Sequence, residues 1–266
     1  DMRFELPNNV VHLEVHYLHE PHGKVPVIKR KGNKQVFKEI RCLHEQYRHA
    51  DTPKGETASL LKSIMQHRNE GRYAEADFLY SRESWDYITE QYRERCTDPS
   101  FVDYFWTVRI MHSPLWKLMA LTESFIPVKV FHTISTGYAG FLGALMKQRT
   151  GKPLILSEHG IYTKERKIDL FQAEWIRDNR GTLAKDSSEV AYFRHLWIRF
   201  FEALGRDCYH HADRIIALYE TNRLRQIQDG APAERTENIP NGINFPHLAK
   251  VREQRSDTIP LPICPT

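Results

Sequence analysis

Cysteine is scarce. Only Cys42, Cys96, Cys208 and Cys264 occur in 266 residues, too far apart for a CxxC pair or a disulfide framework, so a reduced, cytoplasmic setting is expected. No apolar run is long enough to span a bilayer. Neither sign of charge dominates, since 38 basic residues face 34 acidic ones for a net +4, spread along the chain. Without a dense basic block or basic residues interleaved with aromatics, a nucleic acid is a poor partner and a small anionic ligand a better one. Three catalytic signatures are also missing. There is no GxGxxG dinucleotide fingerprint, no GxxxxGK loop ending in Ser or Thr, and no GxSxG elbow of a serine hydrolase.

What is present is the composition of a globular protein with a substantial core, 41% hydrophobic and 27% charged. Val11, Leu13, Val15 and Tyr17 alternate with His12, Glu14 and His16, which predicts an early strand. Between Pro53 and Met119 the period turns helical. Leu60, Leu61, Ile64 and Met65 form one stripe and Phe101, Tyr104, Phe105, Val108 and Met111 another, with Pro114 predicted to end or kink the second helix. This block is expected to lie between strands as an insertion. Strands are then predicted at Val128 to Phe131, Pro153 to Leu156, Arg214 to Leu218 and Thr236 to Ile239. Helices are predicted at Gly137 to Arg149, Glu189 to His211 and Thr221 to Gln228. Such alternation implies an α/β fold with a mostly parallel sheet and right-handed crossovers. The polar stretch Lys250 to Asp257 predicts a linker, and the ends at Asp1 and IPLPICPT suggest an internal piece of a longer protein.

The chemistry-bearing residues gather where predicted strands stop. Val130-Phe131-His132 leads into TISTGYAG, and the apolar run up to Leu156 leads into SEHGIYTKER. Ligands of open α/β sheets bind at the carboxyl edge of the strands, so His132 and His159 are candidates for one shared opening. Either alone is as well explained by a structural role; their recurrence in two successive strands favours a site. Gly137, Gly140 and Gly143 suit close packing of a helix on the sheet, while Ser135, Thr136 and the amides behind Gly137 would attract an anion. His12, His16, His19 and His22 resemble a metal cluster, but turn geometry around Pro21 scatters them and no metal site is expected. His210 and His211, following Tyr209, suit a helix C-terminus, and Asn241-Gly242 suits a tight turn.

FHTISTGYAGFLGAL, LSEHGIYTKERKIDL, ADRIIALYETNRLRQIQDGA and IPNGIN resemble the amino-terminal, acceptor-side half of a retaining glycosyltransferase with the GT-B fold. More closely, they resemble the PelF branch of family 4, which acts in bacterial Pel exopolysaccharide synthesis. The resemblance implies a Rossmann-like parallel sheet with helices on both faces, acceptor-side over residues 1–249, with 250–266 leading into a donor-binding domain. It implies a UDP-sugar donor, UDP-glucose above all, acting as substrate with no separate cofactor. A carbohydrate acceptor, membrane-associated exopolysaccharide synthesis proteins as partners and a cytoplasmic location are also implied. His132 matches a strand-end histidine near the donor sugar, His159 a second one lining the interdomain cleft, and Asn241 and Gly242 the crossover into the donor domain. Glu158, His159, Tyr162 and Arg166 would then shape the acceptor side, with Glu158 alternatively pairing with Arg166 or Lys164. The family's first strand and glycine-rich loop have no counterpart here, and this piece alone is expected to be inactive. The competing expectation is a non-catalytic carbohydrate-binding or scaffolding module, which a surface patch of Trp85, Trp106 or Trp116 would favour.

Overall fold

The structure, a computed structural model, describes residues 6–18, 29–48, 56–96, 100–173 and 192–253. A helical block comes first: α1 (Lys34–Arg48), α2 (Glu56–Asn69), α3 (Glu75–Tyr80), α4 (Arg82–Arg95) and α5 (Phe101–Leu121). A β/α unit follows: β1 (Phe131–Thr133), α6 (Gly137–Thr150), β2 (Leu154–Glu158), α7 (Tyr162–Gln172), α8 (Tyr192–His211), β3 (Arg214–Ala217), α9 (Glu220–Gln228), β4 (Thr236–Asn238) and α10 (Phe245–Glu253). The four strands are all parallel and lie in the order β1-β2-β3-β4. This is the expected α/β, Rossmann-like parallel sheet flanked by helices, although the crossover helices gather on one face and not on both.

Strand order and side-chain alternation together decide which face is sealed. Successive crossovers of one hand, stepping in one direction across the sheet, bring their helices to the same side. On that side the row Thr133, Leu156, Ile215 and Thr236 is buried. Leu154 and Leu156 pack with Cys208, Tyr209 and Ala212 at the end of α8. Helix α6 lies close, because a Cβ at Gly140 would fall 2.7 Å from Cys208 Sγ and one at Gly143 2.8 Å from Leu154 Cδ1. The glycine spacing is therefore a packing device, as expected. The opposite row, including His132, Ile155, Ser157 and Ile216, is exposed or half-buried.

Several elements differ from expectation. Val11 to Tyr17 forms no ladder, and its apolar row is exposed, Val11 at 94% and Tyr17 at 70%. Alternation prepares a strand but does not supply a neighbour. No described strand precedes the helical block. Pro114 does not end α5, whose N-cap Ser100 accepts a hydrogen bond from the Asp103 amide at 3.2 Å. The chain after SEHG, where no helix is expected, forms α7. Lys250 to Glu253, expected in a linker, close α10, so the boundary expected between residues 249 and 250 falls inside a helix. The rest of that linker lies outside the described residues, as do His19 and His22. His12 and His16 both close on Glu14, at 2.7 and 2.9 Å. Among the described residues no helix is long and apolar enough to cross a membrane.

The helical block is threaded by a polar chain whose protons can be placed. His112 Nδ1 lies 2.6 Å from the Val108 carbonyl and must donate to it, so His112 Nε2 accepts from His44 Nε2 at 3.0 Å. His44 Nδ1 then accepts from the Tyr87 hydroxyl. Phe78 and Phe200 close over His112, and Arg48 is a cation acting on His44. Burial pushes His112 down to about 4, and burial, helped by His112 and Arg48, holds His44 well below the usual imidazole range. Because the unfolded chain binds these protons near pH 6.5 and the folded one does not, this stabilisation is complete above pH 6.5 and is lost as pH falls toward 4. Urea unfolding of the parent and of the double substitution His44→Phe with His112→Phe should diverge over that range. We expect the parent to lose stability relative to the variant by about 1.4 kcal/mol per pH unit for each histidine; parallel pH profiles would contradict the neutral pair.

Candidate functional site at the carboxyl edge of the sheet

The last residue of β2, Glu158, has no exposed surface. Its Oε1 accepts from Thr136 Oγ1 at 3.2 Å, and its Oε2 accepts from the Tyr209 hydroxyl at 2.8 Å and from Gln226 Nε2 at 3.0 Å. The Tyr162 amide is a further donor. Burial raises the pKa of this carboxyl, and the bonds from Gln226, Tyr209, Thr136 and the Tyr162 backbone oppose the rise. Glu158 therefore does not shape an acceptor surface by contact, nor does it pair with Arg166 or Lys164. It is sealed because strand alternation turns it, with Leu154 and Leu156, toward the helices. Its role is to fix the starts of α6 and α7 against α8 and α9.

Above this knot lie exposed polar groups. His132 on β1 is exposed, with Nε2 3.0 Å from Ser157 Oγ on β2. His159 is also exposed, just beyond β2, and its carbonyl accepts from Asn222 Nδ2 of α9 at 3.3 Å. The two strands are adjacent and parallel, as expected, but their histidines are not at equivalent positions. The register sets His132 opposite Ile155, four residues before His159, an offset of ~13 Å at the usual rise of a parallel strand. His132 thus stands on the open face of the sheet, and His159 on its rim.

Between them begins α6. Its N-cap, Thr136, gives its hydroxyl to Glu158 instead of capping the helix, so no side chain caps the first amides. Gly137 has φ +67°, and a Cβ there would meet the Tyr162 ring at 2.4 Å, so glycine is required both for the turn and for the covering ring. Ser135 is half-buried, its carbonyl accepting from Thr133 Oγ1 at 2.8 Å. The Tyr162 hydroxyl accepts from Arg166 Nη2 at 3.0 Å. The Arg166 guanidinium stacks 5.4 Å from the Tyr162 ring and 5.2 Å from Phe201, and reaches Asp169 at 3.7 Å.

The fold thus joins Ser135, Thr136, Gly137, Glu158, Tyr162 and Arg166 at one edge, with His132 and His159 flanking it. Asn241 and Gly242 follow β4, two strands away from β2, where both are exposed. The tight turn expected there is absent: residues 239–244 carry no turn, and neither residue has a positive φ. Ser157, Tyr209, Gln226 and Asn222 are the residues sequence reasoning misses. Only Ser157 carries a local signal, one strand period before His159. His211, expected as a helix cap, does place Nδ1 2.8 Å from the Asp207 carbonyl. Among the described residues no group of three or more His, Cys, Asp or Glu could hold a metal ion. What the edge offers chemically is two imidazoles, a hydroxyl and a helix N-terminus, donors suited to an anionic or oxygen-rich ligand, with the Glu165 carboxylate against Gly160 also at the rim.

Residues 1–234 match a family described as a domain of unknown function (DUF3492). The chain belongs to this family. Its domains are associated with glycosyltransferases of the family-4 kind and stand at the amino-terminal side of such proteins. No curated protein and no solved structure matches the chain.

The knot gives a direct prediction. Glu158→Ala leaves Thr136, Tyr209 and Gln226 as buried donors without their acceptor, at roughly 1–3 kcal/mol each, so urea unfolding should show a loss of at least about 3 kcal/mol. Glu158→Gln, which keeps one acceptor, should cost less. Equal, small losses for both would mean that the carboxylate does not organise the edge.

Proposed function

We propose that this chain is the acceptor-side part of a retaining GT-B glycosyltransferase of the PelF kind. It transfers a sugar from a UDP-sugar, UDP-glucose being the expected donor, to a carbohydrate acceptor in exopolysaccharide synthesis. The observation that carries this reading is the donor-rich carboxyl edge, with an exposed His132 held by Ser157 on the open face of the sheet and an uncapped start of α6 after the same strand, in a family that accompanies glycosyltransferases. Transfer from a nucleotide sugar passes through an oxocarbenium-like transition state while negative charge grows on the departing phosphate. Fixed donors aimed at that charge lower the barrier, and donors already held in place need no reorganisation as it develops.

On this reading His132 orients the donor sugar or its phosphate, and the backbone from Ser135 to Gly137 faces negative charge. His159, Tyr162 and Arg166 shape the acceptor side, supported from beneath by Glu158. Asn241 and Gly242 lead toward a donor-binding domain. The protein works in the cytoplasm beside membrane-associated exopolysaccharide synthesis proteins, with the sugar nucleotide as substrate and no separate cofactor.

A second reading, a non-catalytic carbohydrate-binding or scaffolding module, is favoured by one surface. Trp85 and Trp106 are exposed on either side of Phe105, at ring distances of 5.5 and 5.7 Å. Trp116, considered with them, is buried. Calorimetric titration of the intact protein with UDP and UDP-glucose separates the two readings, since a scaffold gives no heat with either. For the transferase, His132→Ala should lower kcat/KM for sugar transfer from UDP-glucose by about 100-fold, the usual effect of losing one donor to developing charge. The urea midpoint should not move, because His132 is exposed. Unchanged turnover would remove its role.

A further inference from the structure

Positive charge looks evenly spread along the sequence, yet the fold concentrates part of it far from the sheet in chain order. Arg30, Lys31, Lys34 and Arg72 line a solvent-open cavity of about 570 Å³, together with Gly32, Asn33, Gly71 and Asp77. That volume lies within the range of small-ligand clefts. The four cations come from the segment before α1, from the start of α1 and from the turn between α2 and α3.

The backbone around the cavity is tied on three sides. The Arg30 and Lys31 carbonyls accept from the Arg82 and Glu83 amides at 3.0 and 3.1 Å, which anchors the segment to the start of α4. Gly32 has φ +87°, and a Cβ there would fall 2.6 Å from Ser81 Oγ, so only glycine lets the chain pass so close to Ser81. Asn33 Oδ1 accepts from the Gln35 amide at 3.0 Å, while its Nδ2 donates to the Arg72 carbonyl at 3.5 Å.

Negative charge within the cavity is already engaged. Asp77 accepts from Arg30 Nη1 at 3.3 Å and from the Ala74 amide at 2.8 Å. Arg72 pairs with Glu70. Among the described residues no carboxylate forms an ion pair with Lys31 or Lys34. Two ammonium groups on an anchored backbone, beside two partly engaged guanidinium groups, give the cavity an excess of positive charge, with the Glu83 side chain next to Gly32 as a further carboxylate at its edge.

We propose that this cleft binds a phosphate-bearing ligand, with Lys31 and Lys34 as its main contacts. The phosphate could belong to a soluble phosphorylated molecule or to a phospholipid headgroup, and the proposal does not depend on the sheet edge being a transferase site. The test uses the intact protein and the double substitution Lys31→Ala with Lys34→Ala, both residues being exposed. Inorganic pyrophosphate is titrated by calorimetry, and co-sedimentation is measured with phosphatidylcholine vesicles with and without phosphatidylglycerol. A pyrophosphate affinity that falls at least tenfold in the double variant supports the proposal with a soluble source. Sedimentation that requires phosphatidylglycerol and is lost in the variant supports it with a lipid source. Absence of binding to both probes, or binding that the double variant leaves intact, overturns it.

Discussion

One buried carboxylate constrains the whole edge of the sheet. An ionised group withdrawn from water persists only where donors converge on it, and those meeting Glu158 come from four segments: Thr136 ahead of α6, the Tyr162 amide at the start of α7, Tyr209 on α8 and Gln226 on α9. Moving any of these away leaves a buried polar group without its partner. The chain that follows β1 and β2 is therefore held at its root while its outer surface stays polar and open. A site that must meet developing charge without reorganising needs such a base.

Adjacent residues at this edge have opposite fates for a simple reason. Glu158 and His159 are neighbours in SEHG, yet one is sealed and the other exposed, because Glu158 is the last residue of a strand whose alternate side chains turn inward. The sequence places SEHG at the end of a strand, as found, but misjudges Glu158, because its side-chain partners are 22, 51 and 68 residues away. The offset between His132 and His159 is hidden for a related reason. Register belongs to the pairing of two strands, and a motif read within one strand carries no information about its neighbour's phase.

The same division runs through the fold. Elements whose burial follows from their own spacing are legible: the apolar strands up to Leu156 and Leu218, and the α8 face of Phe193, Trp197, Phe201 and Leu204, all buried. Helix α1, which is not among the expected elements, carries an equally plain stripe in Val36, Ile40 and Leu43. Helix α7 is different, with only Thr163 and Leu170 buried among polar neighbours. Its helicity depends on docking, through the Tyr162 ring on Phe201 at 6.0 Å and Thr163 on Asp229 at 3.2 Å, which no local period reveals. Val11 to Tyr17 fails in the opposite sense, having the right alternation and no described neighbour to complete it.

Helix α8 ties these layers into one mechanical unit. Toward α1 it presents Asp207, whose carboxylate accepts from the Tyr47 hydroxyl, while the neighbouring Arg206 donates to the Tyr47 carbonyl at 3.0 Å. Toward the sheet, two residues later, it presents the Tyr209 hydroxyl to Glu158. Burial pushes Asp207 up to about 7, so near neutral pH its charge is only partly tolerated and its bond to Tyr47 is the compensating contact. The helical block and the sheet edge are thus joined through two tyrosine-carboxyl bonds on a single helix. The helix that donates to Glu158 at the root of the rim thus also carries the contacts to α1, a layer that contributes no residue to the rim.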